Sequence, residues 1–330
     1  MNRLLRLALI SAMVVLATSC GALGVGGSAL KIGMVTDIGQ LEDKSFNEFS
    51  WKGVQDGAAA VGATSQVIVT KDIADYKQNI QTFLDQKYDV IVTVGFLIGS
   101  DTLKAAQANP TVQFFGVDQF VADPAPANYQ GLLFNEAQAG YLAGIVAGTI
   151  TKSGKIGAVG GRSDVPPVVN YIKGYENGAK SVKSSVTVTV NYVEDFNAPD
   201  KGEASAKTMI SNGVDVVFQV AGLTGVGVLR AACNAKVYGI GVDVDQYLSL
   251  PATKDCTITS AEKKLQNATR DAVKRFKDKG KQGGNFANDA TNDGIAASPL
   301  RNLSPIPAGL EDKLKTALAD MKSGKLKAIP

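Results

Sequence analysis

An α/β fold of two similar lobes, each built on a parallel sheet, is predicted by three features of this sequence. The first is internal repetition: KIGMVTD at 31–37 returns as KIGAVGG at 155–161, DVIVTVG at 89–95 as DVVFQVAG at 215–222, and GVDQ at 116–119 as GVDVDQ at 241–246. The second is the form of each unit, a short β-branched run that ends in Gly or Asp and leads into a segment of helical period, as in a βαβ series. The third is size, since 330 residues of which 45% are hydrophobic suffice for two cores. Parallel sheets bind ligands just outside the carboxyl ends of their strands. Two such lobes should therefore face each other across a cleft edged by the residues that end those strands.

The first lobe reads as strand 30–36, then a helix from Ser45 with Glu48 completing a capping box and Phe49, Val54, Ala58 and Val61 on its apolar face. Strand 66–70, helix 75–86, strand 90–94, helix 102–108 and strand 113–117 follow. Residues 131–135 read as a crossing, because 136–150 is a long helix rich in Ala and Gly and suited to close packing. The second lobe repeats the order with strand 155–159, helix 169–182, strand 187–192, helix 204–212, strand 214–220, helix 226–234 and strand 238–242. Beyond Asp245 the repeat stops. Residues 256–259 form one more short strand, 260–278 a charged amphipathic helix with Leu265, Ala268, Ala272, Val273 and Phe276 on one face, 285–296 a polar, turn-rich stretch, and 310–322 a final helix. Segments that return in this way need more than one crossing, which makes a hinge and implies rigid-body closure. The expected division is 30–134 with 247–282 for the N-terminal lobe and 135–246 with 283–330 for the C-terminal lobe.

The N-terminus reads as a targeting device. Arg3 and Arg6 flank an apolar run at 7–17 that is too short to span a bilayer, and small residues lead to Cys20. Residues 1–19 are thus expected to be a signal peptide, with Cys20 acylated and 20–29 a flexible tether to a membrane surface. The chain carries 34 Lys and Arg against 31 Asp and Glu, and two of the former lie in the leader, so the mature protein lacks the charge of a nucleic-acid binder. Cys233 and Cys256 remain. Export to an oxidising compartment makes a bridge between them the expectation, with two reduced buried thiols as the alternative that the Cα separation decides.

At the predicted cleft edge, Asp37 ends the first strand, Asp118 a later strand of the same lobe, and Asp243 the matching strand of the other. A carboxylate can accept two hydroxyl protons and an aromatic can stack a ring face, so these aspartates with Phe46 and Phe196 in loops suit a ribose and a flat base. Asn47 can donate to and accept from a base edge, and Lys263 can offset the clustered negative charge. A strand-end Asp is ordinarily a turn or helix cap, and a loop Phe a core plug. Recurrence of Asp118 and Asp243 at equivalent places favours the ligand reading. No metal or cofactor is expected: the acidic loop at 37–47 lacks the calcium-loop spacing, and the chain has no histidine. Without histidine there is no Ser-His or Cys-His nucleophile pair, so an enzyme would be limited to carboxylate or lysine chemistry. The GLTGVG segment at 222–227 lacks the Gly-Lys-Ser/Thr ending of a phosphate loop and reads as a strand-to-helix turn whose N–H groups can face a ligand.

The stretches DIGQLEDKSFNEFSWKG (37–53), GVDQ (116–119), FNEAQAGYLAG (134–144), GGRSDVPPVVNYIKGYENGA (160–179), TGVG (224–227), GVDVDQ (241–246) and TSAEK (259–263) together resemble the basic membrane lipoprotein family. These are substrate-binding lipoproteins of ABC importers whose characterised members bind nucleosides, often purine nucleosides. The resemblance spans nearly the whole mature chain. It implies a type I periplasmic-binding-protein fold with two lobes joined by three hinge segments, a nucleoside ligand, permease partners and a monomer. It further implies that Phe46 and Phe196 sandwich the base, Asn47 and Asp37 read its edge, Asp118 and Asp243 hold the ribose hydroxyls, and Gly222 and Lys263 complete the pocket. Tyr192 is an alternative to Phe196, whose loop (EDFNAPDKG, 194–202) is the weakest match. Two further readings remain: a pentose or other small polar ligand in place of the nucleoside, and a carboxylate-based nucleoside hydrolase.

Overall fold

The computed structural model describes residues 29–329. The expected signal peptide, the lipidation site Cys20 and most of the tether lie outside the described residues. Two six-stranded sheets form the framework. The first contains β1 (Lys31–Val35), β2 (Thr64–Ile68), β3 (Val90–Val94), β4 (Gln113–Val117), β5 (Tyr129–Phe134) and β11 (Gly284–Asn288), in the spatial order β11-β5-β4-β3-β1-β2. The second contains β6 (Lys155–Gly160), β7 (Thr187–Tyr192), β8 (Val216–Val220), β9 (Tyr238–Asp243), β10 (Thr257–Lys263) and β12 (Ile295–Ala297), in the order β12-β10-β9-β8-β6-β7. Every pairing is parallel except that of β12 with β10. The central strands β3, β4 and β8 are buried along their whole length, as strands covered by helices on both faces must be. This is the type I periplasmic-binding-protein fold.

The chain crosses between sheets at three places: after β5 at Asn135, after β10 at Lys264, and between β11 and β12 over 289–294. The sequence reading assigns 247–263 to the first lobe and 283–288 to the second, and strand pairing corrects both. β10 pairs with β9 in the second sheet, and β11 pairs with β5 in the first. β11 has the sequence GNFAN and β12 only IAA, so neither carries the β-branched alternation that marks a strand, and their partners alone fix them.

Helix packing depends on glycine. In α4 (Glu136–Ile150) and α5 (Pro166–Val182), Gly140, Gly144, Gly174 and Gly178 each face a backbone carbonyl of the other helix so closely that a Cβ there would sit 2.0–2.1 Å from the oxygen. Gly148 continues the row. The α1 (Phe46–Val61) and α9 (Leu265–Lys279) pair of the first lobe uses Gly53 and Gly57 in the same way, against Gln266, Thr269 and Val273. A disulfide joins Cys233, in α7 (Thr224–Asn234), to Cys256 just before β10, with the Cα atoms 5.0 Å apart.

Candidate functional site

All eight residues singled out from the sequence line one cleft between the lobes, with an empty volume of about 640 Å³ including its mouth. The cleft lies at the carboxyl ends of the strands, where β1 delivers Asp37, β4 Asp118, β8 Gly222 and β9 Asp243.

Asp118 and Asp243 share an uncommon backbone state, with φ of 60° and 65°. This left-handed region is tolerated by Asp better than by most residues, and it is held only where the surroundings impose it. Behind each aspartate a glutamine folds back under the strand end. Gln119 donates to the carbonyls of Thr93 and Gly95 and accepts from Tyr129, while Gln246 accepts from the Val242 N–H and from Gln219. Gly116 and Gly241 make room for them: a Cβ would come within 2.2 Å of Gln119 and 2.5 Å of Ser260, with Gln246 at 2.7 Å. The repeated Gly-Val-Asp and its glutamine thus form a structural unit that turns each carboxylate toward the cleft.

The Lys263 Nζ, almost wholly buried, lies 2.5 Å from Asp118 Oδ2, 3.8 Å from Asp243 Oδ1 and 4.0 Å from Glu136 Oε1. Rings of Phe46, Phe134 and Tyr171 surround it at 4.6, 5.4 and 5.7 Å. Burial alone would lower the Lys263 ammonium, but the carboxylates of Asp118, Asp243 and Glu136 outweigh it and raise it well above the ordinary range. Burial pushes the Asp118 carboxyl up while Lys263 opposes the shift. The Asp118 Oδ1 is buried with no hydrogen-bond partner. Asp243 is engaged on both oxygens, accepting from Ser45 Oγ across the cleft at 2.7 Å and from the Tyr171 hydroxyl at 3.4 Å. Ser249 Oγ, donating to the Lys44 carbonyl at 2.8 Å, makes a further contact between lobes.

On the first lobe, Asp37 Oδ1 accepts from the Ile38 N–H at 2.7 Å and from the Tyr76 hydroxyl. Burial raises its carboxyl to about 6 against those bonds. Gly95 lies so close that a Cβ there would overlap Asp37 Oδ2. The Asn47 amide accepts from the Asp37 N–H at 3.2 Å and donates to the Gln40 carbonyl at 3.3 Å, so it braces the loop that carries Asp37 and keeps one N–H spare. The expected capping box is not formed. Ser45 gives its hydroxyl to Asp243, and Asp43 instead accepts from the N–H groups of Ser45, Asn47 and Glu48. Helix α1 starts at Phe46, and Glu48 accepts from the Lys44 N–H.

Phe196 is seated by two glycines of the second lobe. A Cβ on Gly161 would strike its ring at 2.2 Å, and Gly222, with φ of 54°, lies beside its carbonyl. Tyr192, its alternative, ends β7 instead and packs on Gly160, outside the cleft lining. The residues overlooked in the sequence are Tyr171, Phe96, Asp43 and Glu136. A single acid at the start of the otherwise uncharged helix α4 is a visible signal for Glu136, though it reads as a helix-terminus charge.

With this geometry in place, a family model described as "ABC transporter substrate-binding protein PnrA-like" matches residues 30–316. The chain belongs to the Bmp family. It is 31% identical over 325 residues to the ABC transporter nucleoside-binding protein BmpA of Lactococcus lactis, covering 93% of this chain and 91% of that one. It is 30% identical over 320 residues to basic membrane protein A of Borreliella burgdorferi, covering 95% and 91%. The fold matches an ABC transporter solute-binding protein of Aeropyrum pernix with a TM-score of 0.79 at 24% identity, over 90% of this chain and 92% of that one. The Bmp-family chain is therefore an ABC transporter substrate-binding protein. No helix among the described residues is long and apolar enough to cross a membrane.

Proposed function

We propose that this Bmp-family protein captures a purine nucleoside between its lobes and presents it to the permease subunits of an ABC importer, held at the outer face of the membrane by a lipid on Cys20. The observation that carries this reading is the pair of strand-end aspartates, one from each lobe, turned into a single cleft with one buried carboxylate oxygen unpartnered. A ribose supplies hydroxyl donors for such oxygens, and leaving them unmatched is costly. Phe46 and Phe196 stack the base, Asp37 and the spare Asn47 N–H read its edge, and Gly222 and Lys263 close the pocket. The ligand favours closure because only the closed form makes both sets of contacts.

Calorimetry with inosine, guanosine, free ribose and 2′-deoxyinosine tests the assignment, together with mass spectrometry of small molecules that co-purify. Tight binding of the ribonucleosides, weaker binding of the deoxy compound and none of ribose are expected. Equal affinity for free ribose overturns the nucleoside reading, and appearance of free base on incubation overturns the binding-only reading. Absence of a diacylglyceryl group on Cys20 in the mature protein removes the anchor.

A further inference from the structure

Glu136 is buried, does not line the cleft, and has no part in the ligand contacts proposed above. It begins α4 at the first crossing, and Lys263 immediately precedes the second. Three groups of the buried cluster, Glu136, Asp243 and Lys263, belong to the second lobe, while Asp118 comes from the first. Without Asp118 the second lobe holds one ammonium against two carboxylates. Closure adds a third, and Asp118 takes the shortest contact to Lys263, at 2.5 Å.

We propose that Glu136 is a positioning residue that takes up a proton as the lobes close, so that Asp118 can pair with Lys263 without a third buried negative charge, and that nucleoside capture is therefore linked to proton uptake. The linkage to capture rests on the nucleoside reading above, whereas protonation in the closed protein does not. Geometry selects Glu136 among the three. Asp118 is in direct contact with the ammonium and Asp243 accepts from Ser45 and Tyr171, but Glu136 stands 4.0 Å off. The groups facing it are Lys263 from β10, Asp118 from the end of β4, Asp243 from the end of β9, and the Tyr171 hydroxyl from α5, which burial and these carboxylates keep neutral. Burial first and the Asp118 carboxylate second raise the Glu136 carboxyl to about 8, with Lys263 opposing. The sign follows: an acid raised on closure binds a proton in the closed form, so affinity is greatest at low pH and falls as pH rises from the ordinary glutamate range through about 8.

Two measurements decide it. Inosine binding is titrated calorimetrically at neutral pH in buffers of different ionisation heat, for wild type and Glu136→Gln. The expected result is uptake of up to about one proton by the wild type, with affinity falling by up to ~10-fold per pH unit, and a marked loss of both in the variant. Equal uptake by the two proteins overturns the proposal, and Asp37 and Asp43, also raised by burial, would then be its source. Independently of the variant, the mature wild-type protein labelled with carboxyl-¹³C glutamate is titrated by NMR with and without inosine. A glutamate midpoint raised into the neutral range under either condition supports the proposal, and midpoints all in the ordinary range under both overturn it. A raised midpoint with no heat on adding inosine strikes the nucleoside reading alone.

Discussion

Asp118 and Asp243 end equivalent strands of the two lobes with nearly the same φ and the same glutamine beneath them, yet their carboxylates are engaged differently. Asp118 is tied to Lys263 and leaves one oxygen unpartnered, whereas Asp243 is satisfied on both sides by Ser45 and Tyr171. Duplication has preserved the device that aims the side chain, and divergence has changed what it meets. The first aspartate bonds directly to an ammonium across the lobes, and the second bonds to two neutral hydroxyls and meets that ammonium only at 3.8 Å.

The largest test of that contrast is Asp118→Ala set beside Asp243→Ala. Removing Asp118 takes from the Lys263 ammonium its shortest contact, leaves it Asp243 and Glu136 at 3.8 and 4.0 Å, and should cost up to about 3 kcal/mol in chemical denaturation. Removing Asp243 should cost clearly less, because Asp118 still holds Lys263 at 2.5 Å. Equal losses would mean that the two sites are interchangeable. The lobes differ next in covalent bracing, since the disulfide closes a loop of sequence separation 23 in the second lobe. Replacing both cysteines by serine should therefore lower stability by about 3 kcal/mol, and protease accessibility should increase in the second lobe first. A smaller effect should separate Gly116→Ala from Gly241→Ala. Both crowd the folded-back glutamine, each at ~1–3 kcal/mol in thermal unfolding, and a milder Gly116→Ala would contradict the tighter fit around Gln119. Smallest is Ser45→Ala, which removes one bond to Asp243 across the cleft. About 1 kcal/mol, near fivefold in inosine affinity, is expected, and an unchanged affinity would show that this contact does not contribute to closure.

The parts of this molecule legible in its sequence are those that the repeat writes twice. The strand-end Asp118 and Asp243 and the turn at Gly222 fall where repetition and hydrophobic period place them, whereas most of the crossing read at 131–135 is strand β5 and the chain crosses at Asn135. Lys263 was visible only as a charge following a short strand, and its burial among carboxylates required the second crossing to be known. The start of α1 after Ser45 is as expected, but the capping bonds differ where local chemistry is ambiguous. Asp43 and Ser45 are both capable caps two residues apart, and the choice between them was made by Asp243, almost 200 residues away in sequence, which claims the serine hydroxyl. β11 and β12 were hidden because a short edge strand takes its conformation from its neighbour rather than from its own side chains. Glu136 and Tyr171 lie within quoted motifs, but the lone acid of α4 reads as a helix-terminus charge and Tyr171 carries no signal of its own. What distinguishes them is proximity created by hinge crossings.

The glycine rows of α4 and α5 have a mechanical consequence. Helices that touch backbone to backbone have no flexible side chains between them to absorb a displacement, so the seam cannot slide and the second lobe responds to load as one stiff body. The travel of the cleft is then set at the three connecting segments and not by any yielding of the lobe itself.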